Sequence, residues 1–311
     1  MSYHVPALLK ESIAGLNIRP GGVYVDVTFG GGGHARAILE KLSSGRLIAL
    51  DQDADALANR PDDKRLIMEQ GNFRFLRHYL AHHGYRTVDG ILADLGVSSH
   101  HFDVAGRGFS FRQDAPLDMR MNAGARTTAK EILNGYPENR LQTIFSRYGE
   151  VPNASRLARH IADARRNEPI ERSGRLLEAI EPCIPRGMEN KYLAKVFQAL
   201  RIEVNHELEN LKSLLLQSVA LLAEGGRLVV ITYHSLEDRL VKHFLKNGLF
   251  EGEAAKDIYG NVQAPFRQVN PKVIVPTDEE ITANGRARSA KLRIGERVNS
   301  NNIKKHERGK S

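Results

Sequence analysis

Apolar residues gather in short runs over the first hundred positions: Val23–Thr28 (VYVDVT), Arg46–Asp51 (RLIALD), Leu66–Gln70 (LIMEQ) and Val88–Leu95 (VDGILADL). Runs of this length bounded by turn residues predict strands. Between them, Ala35–Leu42, Ala54–Asn59 and Phe73–His83 carry helical spacing. Strand–helix alternation means βαβ units, and so a parallel, doubly wound sheet.

From about Val104 to Asn205 the strand-like runs vanish and helical patterns take over: Thr127–Leu133, Glu138–Tyr148, Ser155–Arg166, Arg175–Ile180 and Tyr192–Val204. Pro152, Pro169, Pro182 and Pro185 punctuate them. A long amphipathic stretch, His206–Ala223, a Gly225-Gly226 turn and a strand at Arg227–Tyr233 then resume the earlier pattern, with Lys272–Val275 and Ala290–Ile294 as late antiparallel edge strands. The expected organisation is one discontinuous α/β domain, 1–103 with 206–311, carrying an all-helical insert, 104–205, between its fourth and fifth strands.

Composition adds limits. The chain is 41% hydrophobic and 26% charged over 311 residues, which excludes wholesale disorder. A single cysteine, Cys183, excludes an internal disulfide framework and a multi-cysteine zinc site, and is read as a packing residue. His78, His82 and His83 lack any companion cysteine and are read as surface residues, so no metal is expected. Leu211–Ala223 is interrupted by Lys212, Ser213, Gln217 and Ser218 and is too short to span a bilayer. Met1–Leu16 lacks the unbroken apolar stretch of a signal peptide. A soluble, cytoplasmic protein is expected; the oligomeric state is left open.

Charge changes the picture further. The net +8 is segregated: −1 over 1–103, +5 over 104–205, −3 over 206–283 and +7 over 284–311. Basic segments of this kind either meet a polyanion or form a solvated surface.

The candidate chemistry begins where strand one meets Asp26-Val27-Thr28-Phe29-Gly30-Gly31-Gly32-Gly33-His34. Glycines at a strand–helix turn let backbone approach a ligand at a helix N-terminus. A phosphate-cradling loop needs Lys-Ser/Thr where His34-Ala35 stands. A dinucleotide loop needs a third glycine where Arg36 stands. The acidic start instead looks like the loop of S-adenosylmethionine-dependent methyltransferases. Asp51, ending strand two, suits the two hydroxyls of a ribose, which NAD and adenosylmethionine share. Phe73 is placed to stack on adenine, or is ordinary core.

Strand four delivers Asp94-Leu95-Gly96-Val97-Ser98-Ser99-His100-His101, followed by Gly106–Phe111 (GRGFSF) and Pro116–Met121 (PLDMRM). Farther on stand Phe197–Asn205 (FQALRIEVN), Tyr233–Arg239 (YHSLEDR) and Arg286–Arg293 (RARSAKLR). With His4–Leu9 (HVPALL) and the glycine loop, this set, from His4 to about Arg297, closely resembles the MraW-type bacterial small-subunit rRNA cytosine-N4 methyltransferases. The resemblance implies a class I, Rossmann-like methyltransferase fold with a helical insert. It implies S-adenosylmethionine as methyl donor, and as substrate the exocyclic amine of one cytosine in the decoding region of 16S rRNA, so that the partner is the small ribosomal subunit and not a membrane. By motif the cofactor contacts fall on Gly32, Gly33, His34, Asp51, Phe73, Asp94 and His101, the last standing where the family usually has glutamine.

For the reaction centre, Asp94 is the first candidate, since a carboxylate accepting the amine hydrogens favours the pyramidal nitrogen of the transition state. His234 and Ser235, ending strand five, either orient cytosine and receive a proton or cap the following helix. Phe109 and Phe111 either hold the unstacked base or belong to a core. Arg159, Arg165 and Arg166 lie on one predicted helix whose Leu157 and Ile161 face inward, leaving phosphate contact or a solvated face as their readings. An RNA-binding module with a vestigial cofactor site and an NAD-dependent oxidoreductase are the competing classes; intact Gly32, Gly33, Asp51 and Asp94 argue against the first, and the missing third glycine against the second.

Overall fold

The computed structural model describes residues 6–97, 105–252 and 264–298. The chain divides into two compact units, 1–96 with 209–311, and 97–208.

In the first unit, strands β1 (Val23–Asp26), β2 (Arg46–Asp51), β3 (Leu66–Gln70), β4 (Val88–Asp94), β5 (Leu222–Thr232), β6 (Phe266–Gln268) and β7 (Lys291–Arg297) form one sheet in the order 3-2-1-4-5-7-6. β7 alone runs against the others. Both faces are covered, which is why the strands read as unbroken apolar runs. Tyr24, Leu47 and Ala49 pack on one face with Leu16 of α1 (Leu9–Leu16) and Ile38 of α2 (Gly33–Lys41). Their neighbours Val25, Ile48 and Leu50 point the other way, toward Leu76 and Leu80 of α3 (Leu76–His82), Leu211 and Leu214 of α9 (Glu207–Leu221), and Val241 and Phe244 of α10 (Ser235–Asn247). This is the expected doubly wound α/β arrangement. Among the described residues no helix is long and apolar enough to cross a membrane.

Two expectations from sequence are corrected by strand pairing. Gly225-Gly226 is not the turn that opens strand five but a bulge inside it. Leu222 pairs with Val88 and Arg227 with Gly90, so residues 223–226 stand opposite Asp89 alone, and Gly225 takes φ +77°. The edge strand is Phe266–Gln268 rather than Lys272–Val275, which makes only the Ile274–Leu292 bridge. Pro271 and Pro276 bracket that segment, and proline ends a ladder.

The second unit holds α4 (Ala129–Gly135), α5 (Glu138–Arg147), α6 (Ala154–Asn167), α7 (Ser173–Ile180) and α8 (Glu189–Asn205). Leu141, Phe145, Leu157, Ile161, Leu176, Val196 and Leu200 meet in a single core, which also takes in Cys183. The preceding loop is pinned by Arg120, which grips Asp118 with two hydrogen bonds of 2.8 and 2.7 Å, and by Arg172 Nε on Asp114 Oδ2 at 2.6 Å.

Candidate active site

The strand order reverses between β1 and β4, the switch point at which open α/β sheets leave a crevice beyond their carboxyl ends. Three neighbouring parallel strands, β2, β1 and β4, each end there in an aspartate: Asp51, Asp26 and Asp94. The turn after β1 is braced from several sides. Gly30 N–H donates to Asp51 Oδ2 at 2.7 Å, Asn59 Nδ2 to Gly30 O at 3.1 Å, and Arg36 Nη1 to Gly31 O at 2.8 Å. Gly32 takes φ +75°, and a Cβ on Gly33 would stand 2.3 Å from the Pro6 ring. At Gly31, by contrast, nothing lies within 4 Å of where a Cβ would be. The loop is closed on its protein side and open on the other.

Hydrogen bonds through Thr28 tie the Asp26 carboxylate to the backbone of Asp94. Asp94 N–H donates to Thr28 Oγ1 at 2.7 Å, and Thr28 N–H donates to Asp26 Oδ1 at 3.1 Å. Asp26 is 1% exposed, and its Oδ2 has no hydrogen-bond partner. Asp94 keeps 21% of its side chain exposed, and its Oδ1 accepts the Tyr233 hydroxyl hydrogen at 2.8 Å. Among the described residues, none of the three aspartates pairs with a lysine or arginine. Burial therefore dominates, pushing Asp26 and Asp94 each up to about 7 and raising Asp51 as well. Mutual repulsion adds to it, from Asp51 on Asp26 and from Asp26 on Asp94.

His34 opens α2 and is 4% exposed; burial lowers it to about 4, so its ring is neutral. Its Nδ1 lies 3.7 Å from Asp94 Oδ2, beyond hydrogen-bond range. Phe73 starts a 3-10 turn after β3, half-buried against the core, while Gly71 N–H bonds to Asp51 O at 2.7 Å. Gly32, Gly33, His34, Asp51 and Asp94 thus share the crevice edge. His101 lies outside the described residues.

Other expected site residues fall elsewhere. His234 is the N-cap of α10, with its ring on Glu237 N–H and the Glu237 carboxylate returning to the backbone N–H groups of Tyr233 and His234. Ser235 is the exposed first residue of that helix. The pair thus fills the helix-cap alternative through Nδ1, while His234 Nε2 is buried without a hydrogen-bond partner among the described residues. Phe109, 6% exposed, is core of the helical unit and offers no open face for a base. Phe111 is half-buried, edge-on to Phe197 at 5.5 Å. Arg165 Nη1 donates to Leu133 O at 2.6 Å, satisfying a last-turn carbonyl of α4, so it does not join an outward set. Arg166 pairs with Asp163 at 3.0 Å, and Arg159 is exposed with no ion pair among the described residues. Tyr233 joins the site without a sequence signal for its role, whereas Asp26 and Thr28 open the glycine loop that the sequence already marks. Its link to Asp94 joins segments distant in sequence, although Tyr233 stands at the head of the YHSLEDR motif.

The MraW methylase family matches residues 1–298. The chain belongs to this family. The Ribosomal RNA small subunit methyltransferase H of Bacteroides fragilis is 57% identical over 297 residues, covering 95% of this chain and 98% of its own. The protein of the same name from Christiangramia forsetii is 53% identical over 299 residues, covering 96% and 99%. Among solved structures, an rRNA methylase of Streptococcus thermophilus aligns over 93% of both chains at 11% identity, with a TM-score of 0.42. As a member of the MraW family the chain is a methyltransferase that takes its methyl group from S-adenosylmethionine.

Proposed function

We propose that the protein transfers a methyl group from S-adenosylmethionine to the exocyclic N4 amine of one cytosine in the decoding region of 16S rRNA. The observation that carries the cofactor part is the row of aspartates. Asp26, Asp51 and Asp94 are crowded, desolvated and without a cationic partner among the described residues, with Asp26 Oδ2 unsatisfied. A buried acidic set of this kind is relieved by a cationic ligand, and S-adenosylmethionine carries a sulfonium and an ammonium. A dinucleotide would bring a pyrophosphate against the same carboxylates. Asp51 suits the ribose hydroxyls, Gly31–Gly33 the close backbone approach, and Phe73 the adenine.

When bound, S-adenosylmethionine supplies a methyl group already activated by its positive sulfur. Alignment is then the main task, worth ~7–11 kcal/mol in well-oriented reactions. The cytosine amine is a weak nucleophile because its lone pair is delocalised. Asp94 accepts its hydrogen as the nitrogen pyramidalises and becomes cationic, and then takes the proton. Burial raises this carboxyl, which makes Asp94 a better proton acceptor than an exposed carboxylate.

The RNA part rests on the names of the relatives and on the basic surplus of the insert. Residues 104–205 serve as the RNA-recognition domain, with exposed Arg159 and Arg166 toward phosphates, and the methyltransferase domain comprises 1–103 and 206–311. Phe111 remains the aromatic candidate beside the flipped base. The test is methylation of small subunits lacking the modification, with labelled S-adenosylmethionine and mass analysis of the digested nucleosides. N4-methylcytidine at one decoding-region position is expected. A methyl group on a ring carbon or on another base would overturn the assignment.

A further inference from the structure

Asp94 is held at two points. Its backbone N–H goes to Thr28 Oγ1 at 2.7 Å, and its Oδ1 accepts from Tyr233 at 2.8 Å. Tyr233 is the single hydrogen-bond donor to the Asp94 carboxylate among the described residues. It is itself anchored, because its backbone N–H donates to Oε2 of Glu237 at 3.0 Å, and Glu237 is 2% exposed. We infer that Tyr233 is a positioning residue for methyl transfer, donating to Asp94 Oδ1 so that Oδ2 is the atom that accepts the amine proton. This inference rests on the reading of Asp94 as the proton acceptor.

The surroundings leave the hydroxyl no other role. Burial, and then the charge of Asp94, push the phenol far above its ordinary range, with Glu237 and Glu280 adding to the effect. Tyr233 therefore stays protonated and donates at every working pH. The ionisable groups facing Asp94 are Asp26 from β1, His34 from α2, Tyr233 after β5 and Glu237 from α10. Two are carboxylates and His34 is neutral, so among the described residues no cation stabilises ionised Asp94. One hydrogen bond from Tyr233 opposes the burial that raises it. Oδ2 makes no hydrogen bond among the described residues, and His34 Nδ1 lies 3.7 Å from it. One oxygen is thus committed and one is available, which fixes the direction from which the amine must approach.

Tyr233→Phe removes the donor and keeps the ring. In single-turnover methylation of unmodified small subunits at saturating S-adenosylmethionine, the acid limb of the rate–pH profile should move up by about one pH unit. That is about tenfold slower on the limb, with convergence toward wild type at high pH and cofactor affinity within about threefold. Incorporating 3-fluorotyrosine, a stronger donor, should move the limb down in the wild-type chain and not in Tyr233→Phe. A profile coincident with wild type, or a loss uniform across pH with a lowered melting temperature, overturns the inference. Asp94→Asn separates the two levels. If it keeps the wild-type rate, the reading of Asp94 itself fails. If it abolishes turnover while Tyr233→Phe leaves the acid limb in place, only the role of Tyr233 falls.

Discussion

The two units handle charge in opposite ways. The sheet unit places ionisable groups at the crevice end of its strands, desolvated and without counter-ions among the described residues: Asp26, Asp51 and Asp94. In the helical unit the sheltered charges are paired instead: Arg201 meets Glu207 at 2.8 Å and Glu203 takes Tyr136 and Arg140, while Arg166 and Arg172 find acidic neighbours on the surface. Exposed pairs of that kind contribute little to stability. Unpaired buried carboxylates are costly, and they mark the unit whose charges await a ligand.

The sharpest way to break this contrast is Asp94→Asn. The methylation rate should fall by about 10²–10⁴, the range of a lost general base, while cofactor affinity changes far less. Single-turnover kinetics beside calorimetry would decide; equal losses would make Asp94 a cofactor ligand only. Next in size is Asp51→Ala. Losing hydrogen bonds to a charged acceptor, each ~1.5–3 kcal/mol, should weaken S-adenosylmethionine at least tenfold in a folded protein. Unchanged affinity would place the ribose elsewhere.

A third effect is set by pH. Asp26 and Asp94 are raised to about 7 in the free protein, so a bound cation must expel protons from them. Affinity for S-adenosylmethionine should therefore fall, by up to about tenfold per group, as pH drops from about 8 to about 6. S-adenosylhomocysteine, without the sulfonium charge, should show less of this, and Asp26→Asn should flatten the wild-type curve. Stability of the free protein runs the other way. Carboxyls raised on folding favour the folded state at low pH, and that contribution is lost as pH rises from about 4 to about 7. Calorimetric titrations and melts at several pH values test both signs.

The smallest expected effect lies in the helical unit. Arg159→Ala with Arg166→Ala should flatten the salt dependence of small-subunit binding by ~0.7–0.9 in log K per log salt for each phosphate no longer neutralised. Cofactor binding should be untouched. Arg165→Ala should instead cost about 1–3 kcal/mol of stability, because a helix-end carbonyl is left without its donor. Identical behaviour of the two variants would make all three arginines equivalent surface charges.

Local pattern is enough to read the sheet. Its strands begin and end within a residue or two of the apolar runs over β1 to β4, since burial on both faces writes itself directly into composition. It is not enough where pairing decides. The bulge at 223–226 and the choice of Phe266–Gln268 as edge depend on β4 and β7, not on their own residues. The same holds at the site. Asp51, Asp94 and the glycine loop announce themselves by position after strands. Tyr233 is assigned by a partner 139 residues away, and a helical wheel cannot distinguish Arg159 in solvent from Arg165 on a neighbouring carbonyl.

That separation of 139 residues also bears on how the chain reaches its native state. Joining β4 to β5 means closing a loop that contains the whole of 97–208, with an entropic cost that grows with the length of free chain. Helices with neighbouring partners form quickly, so an early collapse of that segment would replace most of the slack by a compact body. The insert would then act as an internal chaperone for the sheet that it interrupts. Leu157→Ala, which hollows the helical core, should accordingly slow recovery of cofactor binding during refolding more than it weakens cofactor binding at equilibrium; equal effects on both would remove the insert from the folding pathway.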